Sequence, residues 1–337
     1  MKLVAVRPGP RFSVQDVHHG WVKALTALLG RENVGDFNLD DRLDFYDKAL
    51  QAQPGEHTFL STMRMACKGL EAAVYEFWPD VILVTSGFFV PPDLLQLFQA
   101  RGHKVVLLAT ESPYEEDHQL GLAPYCDLVI LNDPTHLDLY TQITKAVYIP
   151  HAYDPDVHKK PAVILPEWRS DFCFVGTGYP SRVEFLERVD WTGIDVALGG
   201  NWQHVQPGSP IEPFIAHPKK FCLDNADAVN LYAGTKCSAN IYRREAQRPE
   251  LSEGWAMGPR EVELAAVGCF YLTEERGENR EVLPMLPTFV GPDDFGEKLR
   301  WWLAHDSERE RVALAAQRAI ADRTFVSNAR DLLGLIG

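Results

Sequence analysis

Several features are scarce in this 337-residue chain, and each scarcity removes a class of protein. No stretch approaches the ~20 consecutive apolar residues that a helical membrane span requires. The six cysteines, Cys67, Cys126, Cys173, Cys222, Cys237 and Cys269, include no Cys-x-x-Cys pair, so zinc ribbon and disulfide scaffold are both poor readings. Several sit in apolar runs such as Phe172-Cys173-Phe174, where a thiol acts as a small buried hydrophobe. Basic charge is also short: 33 Lys and Arg stand against 47 Asp and Glu, a net charge of −14. An acidic surface repels phosphate backbones, which counts against duplex DNA as a partner, although a local basic groove is compatible with that sum. The opening run Met1 to Val6 is too short for a signal peptide and is followed by Pro8 and Pro10, so a cytoplasmic location is expected.

What is present is ordinary globular composition, 46% apolar and 24% charged, in a chain longer than one hydrophobic core usually organises. Two domains follow as the first expectation. Short β-branched runs alternate with helix-period segments from end to end, the pattern of α/β architecture with parallel sheets. Strands are expected at Leu3 to Val6, Val81 to Thr85, Val105 to Ala109, Leu128 to Leu131 and Val147 to Ile149. Between them lie helices at Val14 to Leu29, Phe59 to Phe77, Pro92 to Ala100 and His136 to Ile143. The stretch His151 to Trp168 carries Pro155, Pro161 and Pro166 without periodicity, which marks a linker.

After the linker the pattern restarts, with strands at Phe172 to Val175, Asp195 to Leu198, Ser238 to Tyr242, Cys269 to Leu272 and Thr288 to Val290. Helices are expected at Ser181 to Arg188, Pro259 to Val267, Asp294 to Ala304, Ser307 to Arg323 and Val326 to Leu335. Gln203 to Lys220, rich in Pro and Gly, reads as a long loop. The N-terminal domain is placed over 1–155 and the second over 156–322.

Two segments carry the clearest chemistry. In Phe174-Val175-Gly176-Thr177-Gly178-Tyr179-Pro180-Ser181-Arg182, a strand runs into a glycine pair and then a helix start. That arrangement lets a backbone approach a phosphate, with Arg182 adding a fixed positive fork; a plain strand-to-helix turn is the alternative. In Gly258-Pro259-Arg260-Glu261-Val262-Glu263-Leu264-Ala265-Ala266-Val267-Gly268, Pro259 suits the first helical position and Gly268 the left-handed residue after the last turn. A cation at Arg260 opposes the helix dipole unless an anion offsets it. Glu263, one turn further on, is placed to meet a ribose diol, whereas Glu261 reads as part of a solvated acidic face.

Together with Asn240-Ile241-Tyr242-Arg243-Arg244, this second segment resembles the donor half of GT-B glycosyltransferases, in the CgeB-like branch of bacterial and phage-encoded members. Phe12-Ser13-Val14-Gln15-Asp16-Val17, Glu111-Ser112-Pro113-Tyr114, His151-Ala152-Tyr153-Asp154-Pro155 and Phe174-Val175-Gly176-Thr177-Gly178 extend the likeness over most of the chain. The resemblance implies two Rossmann-like domains facing a cleft, a final helix over 323–337 crossing back to the first, and no bound metal or cofactor. It implies a nucleoside diphosphate sugar as donor, a UDP-sugar foremost, and a hydroxyl acceptor on a protein, glycan, small molecule or modified base. A phage origin would place the enzyme in the host cytoplasm. By position, Glu263 matches the carboxylate that binds donor ribose. Gly176, Thr177, Gly178 and Arg182 match the phosphate-side loop, and Arg243 and Arg260 are diphosphate candidates. Many retaining members carry a further glutamate eight residues before the ribose one, where this chain has Trp255.

On the acceptor side, residues after the first and third expected strands lie where α/β folds place ligands. Asp16, Glu111 and His19 are the candidates for a general base that receives the acceptor proton. Asp16 has the competing reading of an acid in a capped first turn; His18 and His19 fall on different helix faces. Glu115-Glu116-Asp117 reads as a solvated helix start, and His151, Asp154 and His158 as a turn, not a metal site. Two rivals remain: an epimerase or hydrolase of sugar nucleotides on the same fold, and a non-catalytic nucleotide-sugar or glycan-binding module.

Overall fold

The computed structural model describes residues 1–9, 14–53, 55, 57–216, 223, 225–246, 248 and 253–337. It divides into two compact units, one of residues 1–150, 246–254 and 325–337, the other of 151–245 and 255–324.

The first unit is a six-stranded parallel sheet built from β1 (Leu3–Val6), β2 (Val34–Phe37), β3 (Val81–Thr85), β4 (Lys104–Ala109), β5 (Leu128–Leu131) and β6 (Ala146–Tyr148). The strand order is β2-β1-β3-β4-β5-β6. Strands β1, β3 and β5 are buried at every residue, which explains their unbroken apolar sequences. The helices are α1 (Gln15–Leu29), α2 (Leu39–Gln51), α3 (Phe59–Phe77), α4 (Pro92–Ala100), α5 (Glu116–Leu122) and α6 (Leu137–Thr141). The edge strand β2 and the helix after it were not expected. Gly35 and Asp36 interrupt the apolar pattern of β2, which only an edge position tolerates. Helix α2 is started by Asn38, whose side chain accepts the Asp41 N–H at 3.0 Å.

The second unit has a four-stranded parallel sheet of β7 (Ser170–Val175), β8 (Val196–Gly199), β9 (Thr235–Asn240) and β10 (Tyr271–Thr273), ordered β10-β9-β7-β8. Its helices are α7 (Pro180–Glu187), α8 (Asn225–Gly234), α9 (Pro259–Val267), α10 (Gly277–Val282), α11 (Gly291–Leu303) and α12 (Asp306–Ala319). The expected strand at Thr288 to Val290 is absent: Thr288 makes one isolated bridge to Thr273, and Val290 is 87% exposed before α11 begins. Within the expected long loop, Glu212–Phe214 forms a 3-10 turn and Ile211 is buried in the core; residues 217–220 of that loop lie outside the described residues.

Helix α13 (Phe325–Ile336) packs on α1 within the first unit. Its buried residues Phe325, Asn328, Ala329, Leu332 and Ile336 form one helical stripe. Phe325 meets Trp21 edge-on at 6.4 Å, and a Cβ on Gly20 would stand 2.3 Å from the Phe325 ring, so glycine makes room for that contact. Lys104 and Lys145 donate to the carbonyls of Ile336 and Leu335, satisfying the last turn with cations.

In both sheets the chain reverses its direction of growth once, between β1 and β3 and between β7 and β9. Ligands of open α/β sheets bind outside the carboxyl ends of the strands at such switch points.

Candidate functional site

At the switch point of the second unit, β7 ends in Gly176-Thr177-Gly178. Two of the backbone donors expected to cradle phosphate are already engaged there. Gly176 N–H goes to the Gly199 carbonyl at 3.0 Å and Gly178 N–H to that of Asn201 at 2.7 Å. The α7 start is filled as well: Ser181 gives its N–H and its hydroxyl to the two oxygens of Glu245. Partial burial pushes the Glu245 carboxyl up, but the Ser181 donors and backbone N–H groups outweigh it and hold the group below its ordinary value. The anion at this helix start is thus a side chain of the protein. The glycines serve close packing instead. A Cβ on Gly176 would lie 2.1 Å from Arg260 Nη2, and one on Gly178 would lie 2.3 Å from the Trp202 ring.

Arg182 also differs from the expected phosphate fork. It is 8% exposed, gives Nε to the Ile241 carbonyl at 2.8 Å and Nη1 to that of Thr177 at 3.0 Å, and lies over the rings of Phe174 and Tyr179. Two carbonyl partners and two aromatic faces make it a strut between the β7–α7 loop and the chain after β9. Arg243, half-buried, stacks over Tyr179 and donates to the Glu245 carbonyl and the Tyr179 hydroxyl.

Arg260 sits at the switch point itself. Its Nε donates to the carbonyl of Val175, the last residue of β7, at 2.6 Å. Its Nη1 donates at 3.0 Å to Oδ1 of Asn240, the last residue of β9. The guanidinium is thereby pinned across both strand ends, over the Phe174 ring at 4.4 Å, with Nη2 at the Gly176 backbone. Asn240 is 2% exposed and its Nδ2 has no partner. Glu263 follows Arg260 by three positions and so shares its face of α9. Its carboxylate, 20% exposed, lies 4.0 Å from Nε2 of His158, a buried ring nitrogen that likewise lacks a hydrogen-bond partner. A fixed cation and a carboxylate on one face of α9, with two buried, unpartnered nitrogens beside them, can meet an anion that carries hydroxyl groups.

Glu261 overturns its expected solvated role. It is fully buried; Oε2 accepts from the Gly258 N–H and the Tyr242 hydroxyl, and Oε1 from Thr273 and Asn279. Burial pushes its carboxyl up despite those donors. It caps α9 and ties it to β10 and α10.

In the first unit, Asp16 is exposed in the first turn of α1; the capping residue proposed for it, Ser13, and its neighbours Arg11 and Phe12 lie outside the described residues. Glu111 is half-exposed just after β4. His19 lies on α1, and partial screening from water together with His18 and Arg7 holds its imidazole below the ordinary value. His18 is buried between Thr85 Oγ1 at 2.9 Å and Asp36 Oδ1 at 3.0 Å. Asp36 also takes a two-nitrogen contact from Arg7, at 3.2 and 2.7 Å. This network spans the ends of β1, β2 and β3. Glu116 is 1% exposed, contrary to the solvated helix start expected of it.

Asn240, Glu245 and Asp36 were given no role from sequence, and His158 and Glu116 a different one; each has at least one partner distant in the chain. His158 had a visible signal, its place four residues after Asp154 in a Pro-flanked turn, but nothing local linked it to Glu263.

Residues 182–334 match the profile of a family described as glycosyl transferase-like. The spore protein CgeB of Bacillus subtilis (strain 168) is 22% identical over 246 residues, 71% of this chain and 77% of that protein. Among solved structures, sucrose-phosphate synthase from Thermosynechococcus elongatus shares the fold with a TM-score of 0.68 at 12% identity, over 99% of this chain and 98% of that one. An S. aureus MnaA-UDP co-structure matches with a TM-score of 0.58 at 11% identity, over 100% and 96%. At such identities the structural likenesses speak for the fold alone.

Proposed function

We propose, from the premise that this chain is a CgeB-like glycosyltransferase of the GT-B fold, that its second unit holds a nucleoside diphosphate sugar through Arg260 and Glu263. The observation that carries the reading is Arg260, pinned across the ends of β7 and β9 by Val175 and Asn240 with Glu263 one turn away. Arg260 meets the diphosphate and stabilises the negative charge that grows on it as the glycosyl bond breaks. Because its geometry is fixed before the donor arrives, little reorganisation is needed at the moment of reaction. Glu263 accepts hydrogen bonds from the ribose hydroxyls. Arg182, Arg243 and the Gly176–Gly178 loop hold this frame in place.

The donor is a UDP-sugar, and a resident metal is dispensable because Arg260 supplies the positive charge. Hexosyl groups are the natural cargo. The acceptor is a hydroxyl compound, with the first unit supplying its proton acceptor.

Product analysis of UDP-sugar reactions with and without added hydroxyl acceptors tests this. A glycosylated acceptor together with free UDP supports transfer. Sugar nucleotide of altered configuration without UDP release identifies an epimerase, and unchanged donor despite binding identifies a binding module; either result overturns the reading.

A further inference from the structure

We infer that His136, oriented by Glu116, is the group that takes the proton from the acceptor hydroxyl. The inference rests on the transferase reading above and names a residue of the first unit outside the set Asp16, His19 and Glu111.

Glu116 opens α5 and is almost wholly buried. Three donors converge on its carboxylate: Ser112 Oγ on Oε1 at 2.5 Å, His136 Nδ1 on Oε1 at 2.8 Å, and the Tyr140 hydroxyl on Oε2. Burial and the adjacent Glu116 charge push the Tyr140 hydroxyl far above its ordinary value, so it stays a donor. A carboxylate only accepts, so in the neutral imidazole paired with it the proton sits on Nδ1. The lone pair is then on Nε2, which has no partner among the described residues. The His136 side chain is 11% exposed, so the ring is held by its protein neighbours and still open on one side.

His136 ends the loop that follows β5, at the carboxyl end of the sheet and next to the strand end that carries Glu111. The buried His18 makes a useful contrast. It too touches a carboxylate, Asp36, but its second nitrogen is occupied by Thr85 and it is 1% exposed. His18 therefore binds the sheet together, while His136 keeps a basic nitrogen free.

In the step itself, Nε2 takes the hydroxyl proton as the acceptor oxygen bonds to the anomeric carbon. The bond from that carbon to the diphosphate oxygen breaks, and its electron pair leaves on the diphosphate. The imidazolium formed is stabilised by Glu116, the logic of an oriented histidine–carboxylate pair.

The test uses the full chain, a panel of UDP- and GDP-sugars, water as the acceptor hydroxyl, and release of the diphosphate as readout. His136 precedes α6 without a side-chain cap bond, so His136→Gly disturbs the helix start little. Turnover should fall ~10²–10⁴-fold while donor affinity is unchanged. Added imidazole should restore part of it, which a purely structural histidine would not show. Glu116→Gln, if it folds, should lower turnover in the same way by favouring the opposite tautomer.

Nitrogen-resolved spectra of ¹⁵N-histidine-labelled protein, assigned with His136→Gly, decide independently of turnover. They should show Nδ1–H at His136, and an Nε2–H tautomer overturns the inference. Wild-type turnover in His136→Gly overturns it too, while donor binding in that variant leaves the transferase reading standing. A wild-type chain that neither binds nor consumes any sugar nucleotide removes both.

Discussion

Glu261 and Glu263 stand two positions apart on α9, one buried among four donors and the other partly open beside His158. Replacement separates their roles. Glu261→Ala leaves the Gly258 N–H and the Tyr242 hydroxyl without their acceptor, while Thr273 and Asn279 keep the Glu274 carbonyl, and each stranded group costs ~1–3 kcal/mol. Denaturant unfolding should therefore show a loss of at least ~2 kcal/mol. Glu263→Gln should keep the wild-type midpoint and lose nucleotide binding. Nucleotide binding retained in Glu263→Gln would remove that residue from the donor site.

Asp36 gives a pH signature. Burial raises its carboxyl, but the hydrogen bonds from His18 and Arg7 outweigh that and hold it far below the usual range. A carboxyl whose folded value is depressed stabilises the fold above its unfolded value of ~3.9, and the gain is lost as pH falls below that. Asp36→Asn should be less stable at neutral pH and should show a shallower loss of stability below about pH 4 in urea titrations. A profile parallel to wild type would contradict the Arg7–Asp36–His18 network.

At the scale of elements, the contact between α1 and α13 depends on Gly20, Trp21 and Phe325. Phe325→Ala should cost ~3–5 kcal/mol in denaturant unfolding. Gly20→Ala should cost ~1–3 kcal/mol, because its new Cβ has nowhere to go until the Phe325 ring moves. A Gly20→Ala protein as stable as wild type would mean that the two helices are not held by this contact.

Elements also show what the sequence can disclose. β1, β3 and β5 were legible because strands covered on both faces are written as unbroken apolar runs. α9 was legible to the residue, from Pro259 at its first position to Gly268, left-handed at φ 77°. β2 was hidden because an edge strand can carry Gly35 and Asp36. Arg260 and Glu263 share one face of α9, as helical spacing requires, and the donor roles proposed for them follow the resemblance. Arg182 was misread because its partner, the Ile241 carbonyl, is 59 residues away. Glu116 and Glu261 were taken for solvated charges because most of their donors lie on other elements. Charge is visible in a sequence; the partners that allow a charge to be buried are not.

For the whole molecule, the proposed donor is an anion and the chain carries a net charge of −14, so the reading requires a local, fixed cation. Arg260, held at the switch point of the second sheet, is such a cation, and the donor reading stands on it and on Glu263. Thermal unfolding of wild type and Glu263→Gln against a panel of nucleoside diphosphates and their sugars tests that claim most directly. At ~100 times its dissociation constant a ligand adds roughly 2.7 kcal/mol to stability, enough to raise the midpoint measurably. The account predicts a rise selective for one nucleotide base, UDP foremost, and absent in the variant. No rise with any nucleotide, or an equal rise in both proteins, would contradict it.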